Sequence, residues 1–308
     1  MSNKLQISVS PHIRCPRTTQ NIMLDVIIAL LPAAIAGIVI FGARSAIVLG
    51  VCVLATVLSE FLFNLLVKKK QTVGDLSAVV TGLLLGLNLS ANIPLWQAVV
   101  GSVFAIIVVK CLFGGIGRNF VNPAITARVF MLVAFSNVAS SAFPVDAVAG
   151  ATPLAALASG DAVPSLTDLF LGNYGGAIGE TCTLALLIGF AYLLVRRVIT
   201  WHIPVVFVGT AFVFTYLACG MNAFTALEWI LSGGLFIGAI FMATDYATSP
   251  ATPWGKVVFA VGAGLLTVLI RLWGSYPEGT SFAILLMNIL TPYIEVWTAR
   301  RPFGGKIK

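Results

Sequence analysis

The residues best suited to chemistry in this 308-residue chain lie in one long polar loop, from Asn137 to Gly179, that contains no Lys or Arg. The centre of the loop, residues 146–153, reads Asp-Ala-Val-Ala-Gly-Ala-Thr-Pro. The small residues around Thr152 leave its hydroxyl on an uncluttered backbone, where a bulky group could be attached. Loops of this length are uncommon unless they serve a function. The region also carries four carboxylates: Asp146, Asp161, Asp168 and, at its edge, Glu180.

The composition of the chain indicates that most of its surface faces lipid. Hydrophobic residues make up 59% of the chain and charged residues 9%, and the mean hydropathy is +1.01. A soluble domain carries about 25% charged residues. The net charge of +7 is therefore a signal of membrane topology, and no nucleic-acid partner is expected. The first 21 residues lack the apolar core of a cleavable signal peptide, so the first hydrophobic segment is expected to be a permanent span.

Ten hydrophobic segments approach the length of about 20 helical residues that a bilayer requires. They cover residues 22–43, 45–67, 76–90, 94–113, 122–136, 178–195, 203–219, 226–243, 255–271 and 280–298. The sequence therefore predicts an all-α polytopic membrane protein. The predicted organisation is a cytoplasmic segment (1–21), a first membrane repeat (22–136), an outward-facing loop (137–177), a second membrane repeat (178–299) and a cytoplasmic tail (300–308).

The positions of the Lys and Arg residues predict the orientation of the chain. If the N-terminus is cytoplasmic, all but two of the 18 basic residues fall on the cytoplasmic side, and only Arg44 and Arg271 fall outside. Such an excess of positive charge marks the cytoplasmic side of membrane proteins. Both termini are therefore predicted to be cytoplasmic, and the Thr152 loop is predicted to face outward.

A weak internal similarity predicts two inverted repeats of five helices. Residues 76–82 resemble residues 231–237, and each segment continues through a short, glycine-broken helix toward a Pro-Leu-Trp (94–96) or Pro-Trp (253–254) helix start. An odd number of spans per half places the halves in opposite orientations. Inverted repeats with broken helices at matching positions form the central sites of many transport proteins.

Two carboxylates are candidates for an ion path, because ionisable groups at membrane depth are costly and are often functional. Glu60 lies in the inner half of the second span, where Lys68–Lys70 could attract it to the interface. Asp245 lies in a linker rich in Thr and Pro (244–250), where backbone groups free of helix bonds could coordinate a cation. A structural charge paired at the interface is an equally good interpretation of each.

Two further charges have simpler expected roles. Asp25 begins the first span, where a negative charge favours a helix N-terminus. Arg128 follows a helix start at Asn122 and is expected to face the bundle or the cytoplasm. Each could also be a paired structural charge.

Several motifs indicate which chemistries to set aside. Asn122-Pro123-Ala124 is similar to an aquaporin signature, but a single copy is explained by Asn as N-cap and Pro at the first helical position. The glycine-rich segment 114–119 does not follow a strand, so it does not predict a dinucleotide site. The five cysteines are scattered singly, so we predict no metal site within the chain, although Cys111 could join a cluster between subunits. No catalytic triad or metalloprotease motif is present, and no catalytic side chain is assigned.

Four segments together resemble a known family. Residues 10–14 (Ser-Pro-His-Ile-Arg), 22–33, 117–124 (Gly-Arg-Asn-Phe-Val-Asn-Pro-Ala) and 244–253 resemble the RnfD component of the Rnf complex, an ion-translocating ferredoxin:NAD oxidoreductase. The relative of RnfD is the NqrB component of the sodium-pumping NADH:quinone oxidoreductase, which usually has a longer N-terminal extension. The resemblance covers essentially the whole chain.

The resemblance implies a covalent flavin. The family motif Asp-x-x-Ser/Thr-Gly-Ala-Thr/Ser carries FMN as a phosphoester on its last hydroxyl. Asp146, Gly150, Ala151 and Thr152 match it, while Ala149 replaces the usual hydroxyl residue. Thr152 is then the attachment site, and a separate flavin transferase would install the FMN. Phe143 and Tyr174 could pack on its ring. The family also implies a second, non-covalent flavin (riboflavin), which no motif here locates.

The sequence thus leads to one principal interpretation and two alternatives. The principal one is a membrane flavoprotein subunit that couples electron transfer between ferredoxin and NAD to sodium or proton export in the bacterial inner membrane. Such a subunit works with the other membrane and peripheral Rnf subunits and is not catalytically complete alone. The alternatives are a small-solute channel or transporter of the urea or ammonium type, and a purely structural anchor for partner subunits.

Overall fold

A computed structural model describes residues 17–135, 143–145, 148–150, 152–161, 163–274 and 278–299. The first half is built of five helical units. They are α1 (Thr19–Phe41), α2 (Ala43–Leu66), α3 (Ser77–Leu87), α4 (Leu95–Val103, continued by a π-helix over Phe104–Cys111) and α5 (Pro123–Ala134). A 3-10 turn over Val73–Asp75 precedes α3.

The loop between the halves contains regular structure. Strands β1 (Phe143–Val145) and β2 (Val148–Gly150) pair antiparallel, and helices α6 (Pro153–Ser159) and α7 (Leu166–Leu171) follow. The second half contains α8 (Thr183–Val195), α9 (His202–Ala218), α10 (Ala223–Leu231), α11 (Leu235–Ile237, continued by a π-helix over Gly238–Met242), α12 (Pro253–Trp273) and α13 (Thr280–Thr298).

The hydrophobic helices match the predicted spans. By length and composition, α1, α2, α12 and α13 can each cross a membrane, and α10 with the extended α11 forms a broken pair bent by 67°. The shorter apolar helices are α3, the extended α4, α5, α8 and α9. Within the described residues these make ten hydrophobic units at the ten predicted positions. The all-α polytopic membrane fold is confirmed.

The helix contacts fit two inverted halves. The first helices of the two halves, α1 and α8, pack together, and so do the last, α5 and α13. Within each half the second helix packs on the fourth, α2 on α4 and α9 on α12. Helices α1 and α8 run antiparallel, because Asp25 contacts Arg196 near one end while Gly37 lies against Ile178 near the other. Equivalent helices thus point in opposite directions.

The break between α10 and α11 is caused by glycine. The segment Ser232-Gly233-Gly234 separates the two helices, and Gly233 has a φ of +73°. This left-handed backbone conformation is favourable for glycine and strained for other residues. The prediction of a broken helix in the second half is therefore confirmed.

The start of the sixth hydrophobic segment differs from the prediction. Residues from 178 onward were expected to be helical, but α8 begins at Thr183. Instead, the N–H groups of Ile178 and Gly179 donate to the carbonyl oxygens of Leu89 and Leu87, over 3.0 and 2.7 Å. Their donors are satisfied by the end of α3, so non-helical backbone is tolerated while buried in protein.

The role expected for Asp25 is also corrected. Asp25 is the seventh residue of α1, beyond the first turn in which a helix dipole acts strongly. Its buried carboxylate accepts hydrogen bonds from Arg196 Nε at 3.1 Å and from the Tyr192 hydroxyl at 3.0 Å. The charge of Asp25 therefore joins α1 to the end of α8.

Close packing of α1 on α8 predicts an asymmetric effect of alanine substitution. A Cβ at Gly189 would lie 2.3 Å from the carbonyl oxygen of Ala29, whereas one at Gly209 in α9 meets nothing within 4 Å. Gly189→Ala is expected to destabilise the protein by about 1–3 kcal/mol, as overpacking does. Gly209→Ala should instead be neutral or stabilising by up to about 1 kcal/mol, because alanine favours helix.

Thermal unfolding of the purified protein in detergent checks this expectation. Equal unfolding temperatures for Gly189→Ala and the unmodified protein would show that α1 and α8 are not closely packed at this point.

Candidate functional site

Thr152 is the N-cap of helix α6. It adopts an extended backbone conformation, with φ −63° and ψ 149°, and its Oγ1 accepts a hydrogen bond from the Ala155 N–H at 3.2 Å. Pro153 occupies the first helical position, where its missing N–H costs nothing. The Thr152 side chain is half-buried. Because its oxygen acts as the acceptor in this cap, the hydroxyl hydrogen can be replaced without breaking the cap.

The rest of the predicted motif is only partly within the described residues. Gly150 ends β2 and pairs with Phe143 of β1. Asp146 and Ala151 lie outside the described residues, and so does the side chain of Phe143. The first turn of α6 after Thr152 contains the small residues Ala155 and Ala156. A half-buried threonine on a short, capped helix is compatible with attachment of a bulky phosphoester.

Helix α6 is anchored to the break in the second half. Leu154 is 2% exposed, and its Cδ2 would be 3.2 Å from a Cβ at Gly233. The same point lies 3.3 Å from an Arg271 guanidinium nitrogen. Thr152 is therefore held two residues from a contact with the bend between α10 and α11.

Tyr174 does not have the position expected of a ring-stacking residue. It is 4% exposed, and its hydroxyl lies 3.3 Å from the Glu180 carbonyl oxygen and 3.4 Å from that of Leu231. Its ring is thus enclosed among loops beneath the surface. The expectation that Tyr174 packs on an attached ring is wrong.

Asp245 lies in the linker between the extended α11 and α12, as predicted. Its carboxylate accepts hydrogen bonds from the Thr248 hydroxyl at 3.2 Å and from the Ala247 N–H at 3.4 Å. It lines a cavity between the two halves of the protein. The polar lining of this cavity also includes Ser77, Thr81, Lys110, Asn119, Asn122 and Thr244.

Glu60 is paired with Lys110, not with the Lys68–Lys70 cluster that the sequence indicated. The Lys110 Nζ lies 2.8 Å from Glu60 Oε2, and the residues are 3% and 1% exposed. Lys110 also donates to the Ser77 hydroxyl at 2.6 Å, and the Thr72 hydroxyl donates to Glu60 at 2.6 Å. This ion pair is fully buried among α2, α3 and the π-helical end of α4.

The tertiary structure brings the two ion-path candidates to one region. Lys110, which neutralises Glu60, lines the same cavity as Asp245. Sequence reasoning missed Lys110 as a site residue. The signal was present, since a lysine inside an apolar helix needs a buried partner.

The Asn122-Pro123-Ala124 motif is a helix cap, as its residue types predicted. The Asn122 Oδ1 accepts hydrogen bonds from the N–H groups of Ala124 and Ile125 at 3.0 and 3.3 Å. Its amide donates to the carbonyl oxygen of Met242 at 3.2 Å. The cap therefore joins the start of α5 to the end of the extended α11.

Arg128 belongs to the end of the molecule that holds Thr152. Its guanidinium forms an ion pair with Glu278, which precedes α13, and contacts the carbonyl of Asn88 at the end of α3. Arg271, which was placed on the outer side, donates to the Glu278 carbonyl at 3.4 Å. The assignment of Arg128 to the cytoplasmic basic residues is therefore corrected, because Arg128 and Arg271 share one partner.

The opposite end of the bundle carries basic residues. Arg17 donates to the carbonyl oxygen of Arg196 at 2.8 Å, and Lys256 contacts the Thr200 hydroxyl at 3.2 Å. Helix α8 runs from the loop that carries Thr152 to this basic end. The structure thus separates Thr152 from these basic residues by the length of a helix.

Comparison with known proteins decides the family. The model of the NQR2, RnfD, RnfE family matches residues 6–304. The chain belongs to this family. Within the NQR2, RnfD, RnfE family, the RnfD protein of the Na⁺-translocating ferredoxin:NAD⁺ oxidoreductase complex of Acetobacterium woodii is 49% identical, over 99% of this chain and 97% of the relative.

Two further relatives support the same assignment. The RnfD protein of the proton-translocating ferredoxin:NAD⁺ oxidoreductase complex of Clostridium ljungdahlii is 40% identical over 99% of this chain and 97% of the relative. The corresponding protein of an ion-translocating oxidoreductase complex of Stutzerimonas stutzeri is 36% identical over 93% and 92%. The resemblance to RnfD is confirmed, and these names give no support to the channel alternative.

Proposed function

We propose that this chain is the membrane flavoprotein subunit of an Rnf-type complex, which couples electron transfer between ferredoxin and NAD to export of sodium or protons. Full-length similarity to subunits of such complexes supports this proposal. The other membrane and peripheral subunits of the complex are its partners, since the chain offers no catalytic site of its own among the described residues. The two ions named for the relatives differ, so the ion is part of the question to be tested.

Covalent FMN on Thr152 is the central part of the proposal, and the position of Thr152 as a capped, half-buried threonine supports it. FMN supplies one- and two-electron redox chemistry when bound. The residues of this chain hold its phosphate by an ester bond to Thr152, with Asp146, Gly150 and Ala151 completing the motif read by a flavin transferase. A second, non-covalent riboflavin also belongs to the proposal, without assigned residues.

The orientation follows from charge. We infer that the end carrying Arg17, Arg196 and Lys256 faces the cytoplasm, because basic residues mark that side. Both termini then lie in the cytoplasm and the Thr152 loop on the outer face of the bacterial inner membrane. The exposed apolar side chains of the helices face lipid or neighbouring subunits.

The experiment that tests the flavin assignment is in-gel fluorescence of the denatured chain. The complex is produced in a host that contains the flavin transferase, and its subunits are separated under denaturing conditions. Ultraviolet fluorescence is expected on this chain and not on its Thr152→Ala variant. A non-fluorescent native chain sinks the assignment, and unchanged activity of the Thr152→Ala complex would favour a purely structural subunit.

Asp245 and Glu60 are the proposed ion-path residues. The Asp245 carboxylate faces the cavity between the halves, and we expect Asp245→Asn to lower the number of ions exported per electron. An amide cannot balance the charge of a cation, and a loss of about 1.4 kcal/mol already weakens binding roughly tenfold. Ion uptake and electron transfer are measured together in proteoliposomes that contain the complex.

Asp161→Asn is the matched control, because Asp161 is exposed after α6, in the loop that carries Thr152. A full ratio of ions to electrons in Asp245→Asn would exclude Asp245 from the path.

A further inference from the structure

A buried cluster of four charges lies beneath the helix that carries Thr152. It comprises Glu180, Glu278, Arg128 and Arg271, which come from four separate segments of the chain. Leu154 of α6 packs where Arg271 meets Gly233, so the cluster adjoins the anchor of that helix. With all four groups ionised, the charges of the cluster balance.

The two arginines are well supplied with partners. Arg128 is paired with Glu278 and also donates to the Asn88 side-chain oxygen at 3.1 Å. Arg271 donates to the carbonyl oxygens of Trp229 at 2.5 Å and Ser232 at 3.1 Å. Neither arginine forms an ion pair with Glu180 within the described residues.

Glu180 is the poorly satisfied member of the cluster. It is 3% exposed and lies in the non-helical segment between α7 and α8. Its Oε1 accepts one hydrogen bond, from the Ala177 N–H at 3.0 Å, while its Oε2 is buried without a hydrogen-bond partner. Among the described residues no other carboxylate oxygen is buried in this way. A buried ionised oxygen without a partner is costly, and protonation removes its charge.

The space around Oε2 suits a proton better than a metal ion. A Cβ at Gly234 would lie 3.1 Å from Oε2 and 3.9 Å from the Asn88 side-chain oxygen, so both oxygens face this glycine. A hard metal cation requires a shell of several oxygens. The nearby carbonyls of Trp229 and Ser232 already accept from Arg271. A proton needs only one oxygen.

The electrostatic surroundings place the titration of Glu180 near neutral pH. Burial, and then the negative charge of Glu278, raise the pKa of Glu180 to about 7. Arg128, the Ala177 N–H and Arg271 act in the opposite direction. The other titratable groups of its own segment are Tyr174 and Cys182. Both forms of the carboxyl group are therefore populated under physiological conditions.

We propose that Glu180 is a proton-binding site, whose carboxyl group takes up and releases a proton inside the buried cluster beneath the Thr152 helix. Uptake converts the carboxylate and one proton to a neutral carboxyl group, with no other reactant. The site is distinct from the cavity of Asp245 and Lys110, which lies toward the basic end. It does not depend on flavin attachment, so the two proposals can fail separately.

Infrared spectroscopy of the purified complex tests this proposal through the band of a protonated carboxyl group. Between about pH 5 and about pH 9, a range wide enough to cover shifted carboxyl groups, the unmodified protein is expected to lose such a band as pH rises. Glu180→Gln, which keeps the side-chain shape, should lack that band at every pH. Glu228→Gln, on α10, is the matched control and should retain it.

Two variants that keep Glu180 guard against misfolding of Glu180→Gln. Glu278→Gln removes the neighbouring negative charge and should move the midpoint of the band to lower pH. Gly234→Ala places a methyl group against Oε2 and should move it to higher pH. Identical pH-dependent spectra for the unmodified protein and Glu180→Gln would overturn the proposal, and so would midpoints that do not move in either neighbour variant. A response to sodium without a protonated band would instead identify a cation site and equally overturn it.

Discussion

Replacing Thr152 with asparagine is expected to abolish covalent flavin attachment while leaving helix α6 capped. Asparagine is as good an N-cap as threonine, because its side-chain oxygen can accept from the Ala155 N–H. It has no hydroxyl, so no phosphoester can form. We expect complete loss of in-gel flavin fluorescence together with an unfolding temperature close to that of the unmodified protein. This combination separates the chemistry of Thr152 from its structural role.

Two further variants complete the test. Thr152→Ser keeps both the hydroxyl and the cap, so fluorescence should persist. Ser165 caps the neighbouring helix α7 by accepting from the Asp168 N–H at 3.2 Å. Ser165→Ala should cost about 1 kcal/mol of stability, as loss of a cap does, and should leave the fluorescence unchanged. Fluorescence that survives in Thr152→Asn would place the flavin on another residue.

Removing Lys110 is expected to have the largest effect on stability. Lys110→Met leaves the Glu60 carboxylate buried, and the Thr72 hydroxyl, which contacts its other oxygen, carries no compensating charge. Breaking a buried ion pair from one side costs on the order of 3–5 kcal/mol, because an uncompensated charge remains. Chemical or thermal unfolding in detergent, followed by circular dichroism, measures the loss.

The double variant shows whether the pair itself or the orphaned charge causes this loss. Replacing both members by apolar residues, Glu60→Leu with Lys110→Met, should restore much of the stability, since no buried charge remains unpaired. Lys70→Met removes the same charge from an exposed position and should change stability by no more than about 0.5 kcal/mol. Equal stability of Lys110→Met and the unmodified protein would contradict the buried pairing.

Much of the fold was predictable because the hydrophobic segments report directly on the lipid environment. The ten apolar segments correspond to the hydrophobic helices of the structure, and proline marked several helix starts, such as those at Pro94 and Pro253. The sequence did not predict the π-helical end of α4. It also did not predict the non-helical segment before Thr183, because its backbone bonds go to the distant residues Leu87 and Leu89.

The candidate sites were predictable to different degrees. Thr152 was found from local spacing and family resemblance, and the structure adds its role as a cap. The partners of charged residues were mostly missed. Glu60 was expected near Lys68–Lys70 but pairs with Lys110, which is 50 positions away in the chain. Arg128 pairs with Glu278, a separation of 150 positions.

The sequence by itself determined that this protein lives in a membrane, where its helices lie and which family it belongs to. These properties follow from composition, from the lengths of apolar segments and from local motifs, all of which are contained in short stretches of chain. Only the tertiary structure decided which buried charges meet. Charge pairing at membrane depth joins residues from different helices, and no local pattern specifies the partner. The cluster of Glu180 beneath the Thr152 helix is therefore visible only in the folded molecule.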